Sequence, residues 1–268
     1  MIQPFFLDAQ PGRRFCVFYP AQGTCRGSVL HVHPFAEEMN KSRRMAALQA
    51  RALAAAGFSV LTLDCYGCGD SSGDFSEARW DVWKADVALG AAWLRQQSAA
   101  PLSMWGLRLG ALLMLDAANA IPHPFERLVL WQPVLSGRTH LTQFLRLRLA
   151  SDMLNGAGAK PSIQGLRDRL AAGETLEIGG YELAPPLAAA LDSLELAELG
   201  RPGSAHEWME IGDRPQTPAT AQVIEAWTKR GIPVRNNRLP GEPFWQTQEI
   251  TECPDLIVRT TEVFTHGL

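Results

Sequence analysis

The sequence predicts an α/β fold in which a mostly parallel sheet carries helices on both faces. Apolar strand-like segments alternate with longer helix-like segments along the 268-residue chain, which is typical of parallel sheets with crossover helices. A strand-like segment also runs through a Gly-x-Arg-x-Gly turn directly into a helix-like run over residues 102–118. The hydrophobic content of 46% is enough for one sizeable core.

The first half of the chain is predicted to alternate strands and helices. Trp80, Trp83 and the apolar residues that follow them recur at helical spacing, whereas the Gly-rich residues 65–73 are typical of a loop. The predicted strands span residues 15–19, 29–33, 58–64, 102–105 and 127–132, and the predicted helices span residues 41–56, 79–97 and 111–118.

The pattern changes between residues 137 and 206. An Arg- and Leu-rich helix, a Gly/Ala linker and short helices surround a hairpin that turns on Gly179 and Gly180. We interpret residues 137–206 as a cap inserted into a core of residues 1–136 and 207–268, because inserted segments of this kind commonly cover a pocket. The predicted elements are a helix over 140–154, hairpin strands over 175–178 and 181–183, strands over 207–211 and 234–239, and helices over 218–230 and 255–264.

Composition excludes several classes of protein. The net charge of −3 provides no basic field for nucleic acid, so no nucleic-acid partner is expected. The first residues lack the basic and apolar regions of a secretory signal, and no uncharged apolar stretch is long enough for a membrane span. Because the five cysteines are an odd number, we expect reduced thiols and a cytoplasmic protein.

The turn at residues 106–110 matches the nucleophile elbow of α/β-hydrolases in everything except its central residue. The motif reads Gly106-Leu107-Arg108-Leu109-Gly110, where the hydrolase pattern Gly-x-Ser-x-Gly has its attacking serine. A guanidinium stays protonated and offers only hydrogen-bond donors, so Arg108 cannot attack a carbonyl. The sequence therefore predicts an α/β-hydrolase fold without the usual serine chemistry.

The other two members of a catalytic triad are predicted from chain order. Asp213 follows the strand over 207–211 and fits the position of the acid. The loop over residues 240–245 should carry the histidine base, but it contains none. Loss of the nucleophile or of the base typically costs about 10⁴- to 10⁶-fold in rate.

The segment after the strand over 29–33 corresponds to the oxyanion hole. The backbone N–H groups of Phe35 and Leu109 are the expected donors, and both can survive loss of the serine. Arg108 is expected to pair with Glu37, Glu38 or Asp213, or to bind an anionic ligand, because a lone buried guanidinium is very costly. A structural salt bridge without a ligand is the alternative.

Further candidates lie at the same predicted edge of the sheet. His33 ends a central strand and is expected at the ligand crevice, with His31 on the opposite face as a core histidine. Cys68 or Ser71 could replace the nucleophile with His33 as base, although the polar loop that holds them is more typical of a turn. Cys65 and Cys68 lack the second pair that a structural zinc site needs. Ligand contacts are also predicted for Gln132, Trp131 and Phe244.

Several of these motifs resemble one family. Residues 33–44, the elbow with Arg108, residues 131–133 and residues 243–245 resemble the exosortase A system-associated hydrolase 2 family, and the resemblance spans most of the chain. It implies an α/β-hydrolase fold, a cytoplasmic location and a role near envelope biogenesis, in bacteria with PEP-CTERM protein sorting and exopolysaccharide production. The chain departs from the wider superfamily at the serine and histidine positions.

These observations lead to two functional hypotheses. In the first, a pocket binds an acyl, carboxylated or phosphorylated small molecule, with Arg108 as anion anchor beside the Phe35 and Leu109 amides. Any catalysis would use water activated by Glu37, Glu38 or His33, while Arg108 stabilises the oxyanion. In the second, the chain is an inactive hydrolase that binds a protein of the export machinery. No cofactor is expected, and a homodimer remains open.

Overall fold

A computed structural model describes residues 1–154, 162–213 and 215–266 of the chain. The strands are β1 Gln3–Asp8, β2 Arg13–Tyr19, β3 Gly27–Val32, β4 Phe58–Leu63, β5 Leu102–Leu107, β6 Arg127–Trp131, β7 Leu176–Ile178, β8 Tyr181–Leu183, β9 Ala205–Ile211 and β10 Val234–Leu239. The helices are α1 Glu37–Ala55, α2 Trp80–Gln97, α3 Leu109–Ala120, α4 Gly137–Leu154, α5 Ile163–Ala171, α6 Pro185–Asp192, α7 Leu196–Leu199, α8 Pro218–Lys229 and α9 Pro254–Thr265.

Eight strands form one mixed sheet in the order β1-β2-β4-β3-β5-β6-β9-β10. The strands from β4 to β10 in this order run parallel to one another, and β2 pairs antiparallel with both β1 and β4. The central strands β3 to β6 are buried along their whole length, as expected where helices cover both faces. This architecture confirms the predicted α/β-hydrolase fold.

Two hydrophobic cores lie on the two faces of the sheet. Helices α2 and α3 pack on one face together with parts of the inserted segment, and α1 and α9 pack on the other. Trp105 and Trp131 belong to the second core and are fully buried. The sheet is therefore held between two apolar layers, which fixes the strand ends that carry the candidate site.

Helices α4 to α7 and the strands β7 and β8 lie between β6 and β9 along the chain, and the interpretation of this segment as a cap stays a prediction. The hairpin of β7 and β8 turns on Gly179 and Gly180, whose φ angles of 57° and 85° suit a tight two-residue turn. The Gly/Ala linker expected after the first cap helix lies mainly in residues 155–161, outside the described residues.

Several predicted boundaries were wrong. The sequence pattern missed β1, and it placed the starts of α1 and α4 at residues 41 and 140, whereas these helices begin at Glu37 and Gly137. The first turn of α1 contains Glu37 and Glu38. These acidic side chains favour the earlier start of the helix, because they interact favourably with the positive end of its dipole. The earlier start places Glu38 on a rigid helix rather than in a loop.

Candidate active site

The carboxyl ends of the parallel strands converge at one edge of the sheet, where open α/β sheets bind ligands. The segments that follow β3, β4, β5, β6 and β10 bring together His33 to Phe35, Asp64, Arg108, Gln132 and Trp245. None of the described helices is both long and apolar enough to cross a membrane.

The turn that holds Arg108 has the backbone of a nucleophile elbow. Arg108 lies between β5 and α3 with φ 55° and ψ −122°, a conformation that costs a non-glycine residue about 1–3 kcal/mol. A Cβ on Gly106 would lie 2.7 Å from the Gly110 carbonyl oxygen, and one on Gly110 would lie 2.3 Å from the His33 carbonyl oxygen. Both glycines are therefore required by close backbone contacts, which remain although the serine is absent.

The Arg108 side chain is held by three partners at the edge of the sheet. Its Nε donates to Glu38 Oε1 at 3.2 Å, and its Nη1 donates to the Gln132 carbonyl oxygen at 3.4 Å. The guanidinium carbon lies 5.4 Å from the ring centroid of Trp245, which permits a cation–π contact. The side chain is 13% exposed, and no described group pairs with Nη2. The Nη2 donor of the guanidinium is therefore available to a ligand.

Glu38 is the acidic partner that the sequence analysis left open among three candidates. Burial raises the pKa of Glu38, although the neighbouring Arg108 opposes that shift. Its Oε2 is buried and has no hydrogen-bond partner among the described residues. The hydrogen bonding of the Glu38–Arg108 pair is thus incomplete, because Glu38 Oε2 is shielded from water and accepts no hydrogen bond in its place.

Glu37 and Asp213 do not join this pair. The exposed Glu37 accepts hydrogen bonds from Asn40 Nδ2 and the Tyr181 hydroxyl, both at 3.3 Å, so it links α1 to the hairpin. Asp213 follows β9 as predicted for the acid, but it is exposed and has no hydrogen bond or ion pair with a described residue.

Trp245 is the residue of the loop after β10 that contacts Arg108. It is 4% exposed. Phe244 and Trp131, predicted as ligand contacts, are instead packed in the core at 1% and 0% exposure. Trp131 donates from Nε1 to Thr260, so its polar atom is used inside the protein.

Gln132 also has a mainly structural role in its present position. Its Oε1 accepts a hydrogen bond from the Ile211 amide at 2.7 Å, and its backbone has a φ of 40°. Its carbonyl oxygen faces Arg108. The residue therefore fixes the end of β6 to β9, and only its backbone contributes to the Arg108 environment.

His33 belongs to a second polar cluster beside the elbow. Its Nε2 lies 3.6 Å from Asp64 Oδ1, and Asp64 forms an ion pair with Arg43 at 2.9 Å. Burial, and then the charge of Arg43, lower the pKa of His33 to about 3. A neutral histidine with so low a pKa is a weak base at neutral pH.

The prediction that His31 and His33 face opposite sides was wrong. Their ring centroids lie 4.5 Å apart, since residues two apart on a strand share a face. His31 stacks on Trp105 at 3.8 Å, and its Nδ1 is 3.1 Å from the Trp105 carbonyl oxygen. It is the core histidine that the sequence predicted.

Neither proposed substitute nucleophile is activated. Ser71 Oγ donates to the Asp64 carbonyl oxygen at 2.6 Å and accepts from the Phe15 amide at 2.9 Å. The hydroxyl therefore uses its donor and an acceptor site in hydrogen bonds that hold the loop. Burial, followed by the charges of Asp64 and Asp86, raises the pKa of the Cys68 thiol to about 12. Because the thiolate is the nucleophile, Cys68 is unreactive near neutral pH.

The sequence analysis missed His140, which α4 places over the elbow. Its ring lies 5.7 Å from the ring of Phe35, and the residue is 6% exposed. Burial, and then the charge of Arg108, lower its pKa to about 3. No local pattern marks His140, because its proximity to the elbow comes from the way the inserted segment folds back.

Three spaces lie near the elbow, and one of them has Arg108 in its wall. This groove of about 770 Å³ is also lined by Gln132 and His140, and a second groove of about 350 Å³ lies between Glu38, His140 and Trp245. A small apolar cavity of about 30 Å³ lies beside Phe35 and Leu109, the expected oxyanion-hole residues. Its other lining residues are His33, Pro34, Ala36, Met39, Cys65, Cys68, Trp80, Trp83, Gly110 and Leu113.

Comparison with known proteins supports the fold. A family model described as Hydrolase_4, serine aminopeptidase S33, matches residues 23–167. A search of curated proteins found no match.

Solved structures of several hydrolases share the fold. A thermostable carboxyl esterase from Bacillus coagulans in complex with glycerol superposes with a TM-score of 0.67 at 15% identity, over 97% of this chain and 96% of that chain. Est1E from Butyrivibrio proteoclasticus with ferulic acid gives 0.65 at 14% identity, over 97% and 96%. The α/β hydrolase GrgF from Penicillium sp. sh18 gives 0.65 at 14% identity, over 98% of both chains. At these identities the likeness shows the fold alone.

Proposed function

The chain belongs to the serine aminopeptidase S33 (Hydrolase_4) family of the α/β-hydrolase superfamily, and on this premise we propose that it binds an acyl-bearing carboxylate without serine-type hydrolysis. The observation that carries this proposal is Arg108 in the strained elbow position, with Trp245 beside it where the base would be. The attacking oxygen and its proton acceptor are thus both replaced, whereas the pocket is retained.

The charge at the elbow supports an anionic head group. Arg108 already shares its Nε with Glu38, but its Nη2 has no described partner. A guanidinium can bind carboxylate oxygens through parallel N–H donors, and a hydrogen bond to a charged group contributes about 1.5–3 kcal/mol. A ligand carboxylate would lie at the elbow, where the serine oxygen of a hydrolase meets the carbonyl group of its substrate.

The groove that contains Arg108 supports an acyl tail. Its wall also includes the apolar side chains of Val134, Leu135, Trp208 and Val223. Each buried CH₂ group contributes about 0.8 kcal/mol, which is about fourfold in affinity. A medium-chain fatty acid combines the carboxylate and the tail that these two regions would accept.

Isothermal titration with hexanoate, octanoate and decanoate, and with their methyl esters, tests this proposal. We expect affinity to rise with chain length and each carboxylate to bind about tenfold or more tightly than its ester, because only the carboxylate pairs with Arg108. Equal affinities for acid and ester would contradict the proposal. Turnover of p-nitrophenyl esters should stay at background, and rapid turnover would contradict the absence of hydrolysis.

A slow, non-serine hydrolysis is the second candidate function. The raised pKa of Glu38 and its unpartnered Oε2 are properties of a general base, which could activate water beside Arg108. Weak ester turnover that is abolished in Glu38→Gln would favour this candidate over binding alone.

For the biological setting, we propose a role linked to exosortase-dependent envelope biogenesis in the cytoplasm. The motifs at residues 33–44 and 106–110 support the link, and the five free cysteines are compatible with a reducing compartment. Pull-down of the tagged chain from a bacterium that carries the exosortase system tests it, and the absence of any export component among specific partners would contradict it.

A further inference from the structure

The inserted segment places an unsatisfied histidine over the elbow. His140 lies near the start of α4, where the ring is covered by the protein and packs edge-to-face on Phe35. Neither ring nitrogen has a hydrogen-bond partner among the described residues. Buried polar atoms are normally paired, so a histidine with two unpaired nitrogens requires an explanation.

His140 and Arg108 line the same groove. Both contribute to the wall of the larger groove, Arg108 from the sheet and His140 from the inserted helix. His140 also lines the smaller groove, together with Glu38 and Trp245. A small molecule bound at Arg108 would therefore lie beneath His140.

We propose that His140 is a second ligand-binding residue, which donates a hydrogen bond to the carboxylate that Arg108 holds. This inference rests on the proposed function and adds a contact from the cap to it. A neutral imidazole carries one N–H donor, and an ionised carboxylate only accepts, so the two are complementary. The elbow and α4 together would clamp one head group, and the bound ligand would satisfy a nitrogen that the protein leaves unpaired.

His140→Phe is the variant that tests this contact most sharply. It keeps an aromatic ring against Phe35 and removes both nitrogens. We expect it to weaken decanoate binding about tenfold to a hundredfold, the usual effect of losing a hydrogen bond to a charged group. Binding of methyl decanoate should change little, because the ester lacks the charge that strengthens this hydrogen bond.

Two further variants serve as controls. His140→Gln retains an N–H donor and should recover most of the decanoate affinity. Arg146→Gln removes a charge from an exposed position of the same helix and should bind decanoate like the wild type. Thermal unfolding of each variant checks that the fold is retained.

The outcomes separate this inference from the proposed function. If the wild type binds decanoate and His140→Phe binds it equally well, the role of His140 is overturned and the proposed function is not. Failure of the wild type to bind decanoate would overturn both. If His140→Phe does not fold, the ¹⁵N NMR signals of His140 in the wild type decide: they should shift on addition of decanoate and not in Arg108→Ala, and unshifted signals would overturn the inference.

Discussion

The elbow turn and the loop after β10 meet at Arg108, but they differ in how far each resembles a serine hydrolase. The elbow has the two glycines and the strained backbone of a Gly-x-Ser-x-Gly turn, with Arg108 at the central position. The loop after β10 has no histidine and presents Trp245 instead. The backbone geometry of an active site is therefore separable from its chemistry, and function has to be argued from the side chains present.

Substitution of an elbow glycine should give the largest effect, because it tests the retained backbone directly. In Gly110→Ala the new Cβ would meet the His33 carbonyl oxygen at 2.3 Å, which neither segment can avoid without moving. We expect a loss of about 3 kcal/mol or more in the free energy of unfolding, measured by urea denaturation.

Gly23→Ala is the matched control for that substitution. Gly23 has a positive φ of 81°, but nothing lies within 4 Å of its missing Cβ. Its cost should be about 1 kcal/mol, from backbone strain alone. Equal losses in the two variants would show that the close contact at the elbow does not matter.

Removal of Arg108 should have the next largest effect, since it leaves the mostly buried Glu38 carboxylate unpaired. We expect Arg108→Met to lower the free energy of unfolding by about 2 kcal/mol, less than for a fully buried pair because both side chains retain some exposure. The double variant Arg108→Met/Glu38→Gln should recover at least half of that loss. A double variant less stable than Arg108→Met would contradict the pairing.

The buried histidines make stability depend on pH. The pKa values of His33 and His140 are about 3 in the folded chain, against an ordinary value of 6.5. Between these values the unfolded chain binds protons that the folded chain does not, so stability falls as the pH drops from about 6.5 towards 3.

The variant His140→Gln measures how much His140 contributes to this change of unfolding free energy with pH. It should reduce the change in unfolding free energy with pH by at most about 1.4 kcal/mol per pH unit within that window, and have little effect on the slope above pH 7. Urea denaturation at pH 7, 6, 5 and 4 provides the measurement. An unchanged slope would show that His140 is already protonated or exposed.

Introducing a serine at position 108 should have the smallest effect, because ester hydrolysis should stay at background. Arg108→Ser recreates the Gly-x-Ser-x-Gly motif, but Trp245 leaves the serine without a base. We expect p-nitrophenyl ester turnover to remain at background in this variant and in Trp245→His, and to rise only in the double variant. Brisk turnover in Arg108→Ser alone would show that another described group acts as base.

The features that could be predicted from the sequence are those set by short-range chemistry. The elbow follows from a strand, two glycines and a helix that succeed one another over residues 102–118, and the β7–β8 hairpin follows from adjacent glycines. Asp213 was predicted as the acid from chain order, and that role stays a prediction, because its exposed side chain contacts none of the candidate site residues.

The missed features depend on contacts between distant parts of the chain. Glu38 and Arg108 are 70 residues apart, and His140 reaches Phe35 only because α4 returns over the elbow. The contact of Trp245 with Arg108 joins the ends of β5 and β10. No periodicity or motif encodes such pairings, so they required the folded structure.

The central claim is that Arg108 anchors an anionic ligand, and titration of decanoate into wild-type protein and Arg108→Ala tests it most directly. We predict measurable binding to the wild type and a loss of about tenfold to a hundredfold in the variant, with methyl decanoate bound equally by both. Equal decanoate affinities in two correctly folded proteins would contradict the claim.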